Sequence, residues 1–288
     1  MKKYRSERKG RRNFDPSADG RYTRAVCEIM AGEKTRTAKA AVRATNSAPT
    51  GRIELPFMRC VHCLKETEQH TKDHVFPKSW YPDTTPLDVQ RWTVPSCKIC
   101  NEILGWVEKR VFVKLAMCVD PRKVEASGMS AKALRSIGIG ANAPGEEMAR
   151  RQALKRRIFS MLRPLGFFGR GGLLPGLGPH NGIPAGEQIA ITVPAADLMT
   201  VSEKILRGFE YVLAQRYIEE PYTLNVYFAE EEKIPDVVNL LNTVPASRLG
   251  PGFEIKRAAV KEDSGCALYK VTIWGTLAIY GSIIGPPP

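Results

Sequence analysis

No run of about eighteen consecutive apolar residues occurs in the 288 residues, so the sequence offers no segment long enough to span a bilayer as a helix. The first residues also lack the apolar stretch of a signal peptide, and the expectation is a cytoplasmic protein. Internal repeats are absent, which excludes solenoids and propellers. The glycine-rich stretch Gly169-Arg170-Gly171-Gly172 lacks the Gly-Lys-Ser/Thr ending of a phosphate loop and the flanking strand of a dinucleotide site, so it reads as a boundary loop. Acids are scarce relative to bases. Against 30 Asp and Glu stand 43 Lys and Arg, a formal charge of +13 that attracts polyanions by Coulomb forces and counterion release. Nucleic acid is the leading partner on that ground, and a membrane surface is the rival that the missing apolar segments disfavour. Cysteine is sparse, with 7 in the chain. Cys27, Cys118 and Cys266 show no framework spacing, which suits a reducing compartment.

The other four cysteines are organised. Cys60-Val61-His62-Cys63 and Cys97-Lys98-Ile99-Cys100 are two Cys-x2-Cys pairs; Asp73-His74 lies between them and Asn101 follows the last cysteine directly. Each pair presents two thiolates from one tight turn, and two pairs supply the four soft ligands that Zn²⁺ takes in closed structural sites. Four sulfurs leave no open coordination position, so any reaction would fall to the polar residues that the metal holds in place. Asp73, His74 and Asn101 are the nearest such residues in the sequence.

This arrangement resembles the HNH nucleases, the ββα-metal group, in the zinc-stapled form found in phage junction-resolving enzymes of the endonuclease VII type. The resemblance covers about residues 57–115. It implies an α+β fold with a treble-clef, ββα-metal core and an endonuclease hydrolysing phosphodiester bonds in DNA, with RNA not excluded. It further implies that His74 is the general base acting on water, and that Asp73 and Asn101 bind a catalytic Mg²⁺ or Mn²⁺ while Zn²⁺ is structural. Those residue types suit the chemistry, since imidazole deprotonates near neutral pH and hard oxygen ligands suit Mg²⁺. Asp73 and His74 as neighbours on a strand would face opposite ways, one of them buried, unless a twist or bulge turns both toward a cleft.

One position departs from the family pattern. The asparagine expected nine residues before Asn101 falls near Trp92, and Gln90 or a backbone carbonyl is left to orient His74. Without Asp73, His74 and Asn101 the four cysteines would suit an inert, nucleic-acid-binding zinc finger equally well, and that reading remains the alternative. His62, inside the first knuckle, is expected to be exposed; His70 and His180 read as ordinary surface histidines. In the stretch Ser79-Trp80-Tyr81-Pro82-Asp83, the aromatics are more often packing residues than stacking ones. After Asn101, the spacing of Ile103, Leu104, Val107, Val111 and Leu115 predicts a helix opened by Asn101, with Glu108 two turns along the same face. Glu108 could extend the metal site, although a solvated or salt-bridged glutamate is the commoner case.

The rest of the chain divides by composition. Residues 1–50 hold a basic arm (Lys2, Lys3, Arg5, Arg8, Lys9, Arg11 and Arg12) able to follow a phosphate backbone, and two short helices within 22–47. Residues 51–120 carry the HNH motif, and 121–186 form a basic helical and Gly/Pro-rich linker with a helix from Glu146 to Leu162. Residues 187–288 read as a mixed α+β domain of unknown role, a candidate for dimerisation or a regulatory partner. Its expected elements are a strand at Gln188 to Val193, a helix at Ala195 to Tyr217, a strand at Tyr222 to Ala229, a short helix at Ile234 to Leu241, and a closing hairpin of Phe253 to Val260 with Ala267 to Ile279.

Overall fold

The computed structural model describes residues 58–138, 144–167, 174–175, 177, 187–260 and 263–286; the basic arm, the two helices expected within 22–47, Cys27 and His180 lie outside them. The chain from Arg52 to Pro288 is one compact α+β unit. Segments 51–120, 121–186 and 187–288, distinct in composition, contribute side chains to a single hydrophobic core. Among the described residues no helix is long and apolar enough to cross a membrane.

A two-residue hairpin, β1 (Met58–Arg59) with β2 (Glu66–Thr67), frames the first cysteine pair. Leu64 takes a left-handed backbone with φ of 63°, and its amide donates to the Cys60 carbonyl at 2.9 Å, closing the turn between the two strands. The antiparallel pair β3 (His70–His74) and β4 (Thr93–Cys97) follows in regular register, from His70 opposite Cys97 to His74 opposite Thr93. Helix α1 (Lys98–Cys118) grows directly out of β4. Cys97 is its N-cap, its sulfur accepting the Cys100 amide at 3.4 Å, so the helix begins three residues before Asn101 and Asn101 sits in its first turn. Leu104, Val107, Val111 and Leu115 form the buried stripe, whereas Ile103 is exposed because it lies one position off that face.

Helices α2 (Met129–Ile137) and α3 (Gly145–Phe159) come next. The basic helix expected to reach Leu162 stops at Phe159, since Leu162 turns into β5 (Leu162–Pro164), which pairs with β6 (Ile189–Ile191). On α3, Arg150 and Arg151 pair with Glu146 and Glu147 one turn earlier.

Helix α4 (Ala195–Ala214), strand β7 (Thr223–Tyr227), helix α5 (Pro235–Asn242) and strand β8 (Ser247–Arg248) lead into the closing strands. The closing segment contains one turn more than its sequence suggested. Trp274, Gly275 and Thr276 break it into β10 (Ala267–Ile273) and β11 (Leu277–Ile284), with β9 (Phe253–Ala259) beside β10. Trp274 has φ of 51° and Gly275 φ of 63°, the positive values a tight reversal needs. The result is a five-stranded antiparallel sheet in the order β7-β11-β10-β9-β8.

Helix α4 is the keel of the molecule. Leu206 packs toward the sheet at Gly281, where a Cβ would come within 2.3 Å of a Leu206 methyl. Gly208 lets α4 approach the residue just after β3, since a Cβ there would lie 3.1 Å from a Val75 methyl. The loop between β3 and β4 is pressed into the same core: Phe76 stacks on Phe253 with centroids 4.2 Å apart, and Trp80 and Tyr81 are buried. The aromatics of the Ser79–Asp83 stretch are therefore packing residues.

Candidate functional site

The four sulfurs of Cys60, Cys63, Cys97 and Cys100 lie within 4.8 Å of one another, and all four thiols are free of disulfides. Zinc–sulfur bonds of about 2.3 Å place the corners of a tetrahedron roughly 3.8 Å apart; Cys63 and Cys97 are already at 3.9 Å. The set could hold a metal ion such as zinc. Burial pushes the Cys60 thiol up, but backbone amides of Cys97, Cys63 and His62 outweigh it and bring it down to about 7. Burial and the neighbouring thiols push Cys100 well above its usual range. The Cys60 thiol is thus the readier to ionise, while burial pushes those of Cys63 and Cys100 up. The knuckle is tied to the chain beyond α4: the Arg59 guanidinium pairs with Glu219 and lies over the Tyr217 ring, 5.0 Å from its centroid.

Next to the sulfurs, β3 and α1 border a cleft of about 490 Å³. Asp73, His74, Asn101 and Glu108 all line it. No bulge interrupts the pairing of β3 with β4. Asp73 is the buried member of its pair at 6 % exposure, and His74, at the last position of the strand, borders the cleft as well. Lys72, Lys78, Lys109 and Lys132 complete the cationic rim.

The orientation of Asn101 follows from proton counting. The Thr71 hydroxyl gives its single proton to the Ser96 carbonyl at 3.1 Å, so it can only accept from Asn101, whose amide nitrogen stands 2.9 Å away. That fixes the amide plane. His74 is differently placed: its Nδ1 is buried and has no hydrogen-bond partner. Trp92, at the position where the HNH resemblance would place a bracing asparagine, packs on Phe209 with centroids 5.5 Å apart, and its carbonyl accepts the Val75 amide at 2.9 Å. Gln90 is exposed and does not take over the brace. Burial first, then the Lys204 ammonium, lower the pKa of His74 below the usual imidazole value.

Two residues at this site were not assigned to it from sequence. His62 is not exposed; its side chain is 7 % accessible and Nε2 lies 2.9 Å from Asp73 Oδ2. The reason is the knuckle turn, which rolls the imidazole under β3. Lys204, on α4, is buried, with Nζ 2.9 Å from Asp73 Oδ1 and bonded to Glu108 Oε1. It falls three residues after Val201 and four before Gly208, on the buried stripe of α4. A lysine on such a stripe is rarely buried unless paired, and that position was the available signal. Burial pushes Asp73 up, but the His62 hydrogen bond and the Lys204 ammonium outweigh it and hold the carboxyl below its usual value. For Glu108 burial wins and the pKa is raised. Glu108 is therefore salt-bridged, as the commoner reading of a helical glutamate has it, and it also lines the cleft.

No protein-family model matches the chain, and neither a curated protein nor a solved structure is found to resemble it.

Proposed function

We propose that the chain is a metal-dependent endonuclease of the HNH type, acting on phosphodiester bonds, with DNA as its substrate. The observation that carries this reading is the convergence of Asp73, His74 and Asn101 on one cleft beside the four-cysteine cluster. In this reading zinc on Cys60, Cys63, Cys97 and Cys100 fixes the knuckle to the N-terminus of α1. The oxygens of Asp73, Asn101 and Glu108 are hard donors of the kind Mg²⁺ and Mn²⁺ take, so the donor set fits a divalent cation. When bound, that ion supplies charge stabilisation for the phosphate oxygens. His74, with its lowered pKa, is neutral at pH 7 and can accept the proton of an attacking water. The lysines of the rim attract the phosphate backbone and position it without reading its sequence.

The test is cleavage of supercoiled plasmid by wild-type and His74→Ala protein in EDTA, Mg²⁺ or Mn²⁺. Metal-dependent nicking that falls by about 10²- to 10⁴-fold in the variant supports the assignment. Undiminished cleavage by His74→Ala would falsify it.

A second reading, a non-cleaving zinc-stapled nucleic-acid-binding protein, is favoured by Lys204, whose ammonium is already paired with both the Asp73 and the Glu108 carboxylates. It predicts plasmid binding that weakens with salt and is indifferent to Mg²⁺ and to His74→Ala.

A further inference from the structure

Lys204 sits where two acids of the cleft converge. Its Nζ is 2.9 Å from Asp73 Oδ1 and bonded to Glu108 Oε1, and its side chain is fully buried. It arrives on α4, more than eighty residues beyond α1. The fold works to keep it there: Gly208, one turn later, admits the Val75 side chain against the helix, and Leu206 anchors the other side on Gly281. The Asp73 carboxylate is also held from its second oxygen by His62 at 2.9 Å. Both oxygens of Asp73 thus have partners, one of them a full positive charge.

We propose that Lys204 is a built-in counter-ion that competes with a divalent cation for Asp73 and Glu108, so that the cleft is set for weak, reversible metal binding. This rests on the endonuclease reading for its purpose but not for its test. The ammonium satisfies the two carboxylates in the metal-free protein and thereby prevents two buried like charges from repelling each other. A divalent cation at the same carboxylates must approach a fixed positive charge, which at a few ångströms and an effective dielectric of about 20 opposes binding by orders of magnitude. Lys204 is a positioning residue in this account: it sets the charge and orientation of Asp73 and Glu108 and has no contact with a reacting bond.

The experiment is Mn²⁺ binding, followed by electron paramagnetic resonance of the free ion, to the full chain already loaded with zinc and without nucleic acid. Wild type, Lys204→Met, Lys204→Gln and Lys204→Arg are compared. The two neutral variants should bind Mn²⁺ about tenfold or more tightly than wild type, and Lys204→Arg, which keeps the charge, should not. Because Lys204→Met strands two acids and could unfold, Lys204→Gln retains a donor for one of them; zinc content and the melting temperature, read with and without Mn²⁺, report on folding. In both neutral variants Mn²⁺ should raise the melting temperature more than in wild type. Equal or weaker Mn²⁺ binding by folded Lys204→Gln overturns the proposal. Tighter binding in a protein that never cleaves plasmid sinks the endonuclease reading and keeps the counter-ion, whereas cleavage with unchanged Mn²⁺ affinity does the reverse.

Discussion

The indole N–H of Trp274 donates to the carbonyl of Trp80 at 2.8 Å, joining positions 194 residues apart in the chain. The two rings lie 5.5 Å apart at 37°, both fully buried, and Phe112 of α1 meets the Trp274 ring edge at 6.2 Å. The turn between the last two strands is therefore a pillar under the loop that follows His74. Trp274→Ala removes a bonded indole from a close-packed core and should cost about 3–5 kcal/mol, seen as a lower midpoint in urea unfolding. The transition should remain single, because the motif segment and the sheet share this core; two separate transitions in wild type would contradict the shared core.

Metal removal should act at a distance. Wild-type protein should carry stoichiometric zinc by mass spectrometry, and Cys97→Ser should lose it together with thermal stability, since structural zinc contributes roughly 10–16 kcal/mol of apparent binding free energy in small fingers. Cys97 also caps α1, and serine is itself a good N-cap, so the helix start should survive and the loss should report on the metal. Zinc uptake must release protons from the raised thiols, and affinity should fall as pH is lowered. A chelated protein that melts as before would rule out a structural metal at the thiols.

His74 should titrate low. Burial, then Lys204, depress its folded pKa below the unfolded value of about 6.5. Between the two values the unfolded chain binds more protons than the folded one, so the contribution of His74 to stability is complete above about 6.5 and declines as pH drops toward the folded pKa. The imidazole resonances of His74 in metal-free protein, assigned with His74→Ala, should give a midpoint below 6.5; a midpoint at or above it would refute the burial account.

Glu210 should be indispensable to the far side of α4. It is fully buried and receives Arg257 at 2.9 Å from both Nε and Nη2, with Arg216 and the Tyr269 hydroxyl completing the set. Glu210→Ala leaves two guanidinium groups without their acid and should cost about 3–5 kcal/mol by calorimetry or chemical unfolding. A loss below about 1 kcal/mol would mean that the arginines relax into solvent.

The parts of this fold that are local in the chain were legible in its sequence. The thiol spacing, the helix through Leu104, Val107, Val111 and Leu115, the α4 stripe and most strands all rest on short-range periodicity or turn geometry. What could not be read was the meeting of distant segments. Lys204 reaches the cleft because α4 packs through Gly208 on Val75, just past β3, and nothing in the spacing around residue 73 points to residue 204. His62 was misjudged because four sulfurs satisfy a metal without it, which left its real partner, Asp73, out of view. The split at Trp274 was hidden because Tyr269, Val271, Ile273, Leu277 and Ile279 keep one period of two across it, and an aromatic in a left-handed turn is uncommon.

Lys204 on α4 and Trp274 at the last turn also impose an order on biosynthesis. Chains leave the ribosome from the N-terminus at about 5–20 residues per second, so Cys60 to Asn101 emerge on the order of ten seconds before Trp274. During that interval the four thiols are already present, but Asp73 has no ammonium and Trp80 has no indole bonded to its carbonyl. The four cysteines can thus come together well before the segments that bury Asp73 and Trp80 have been made.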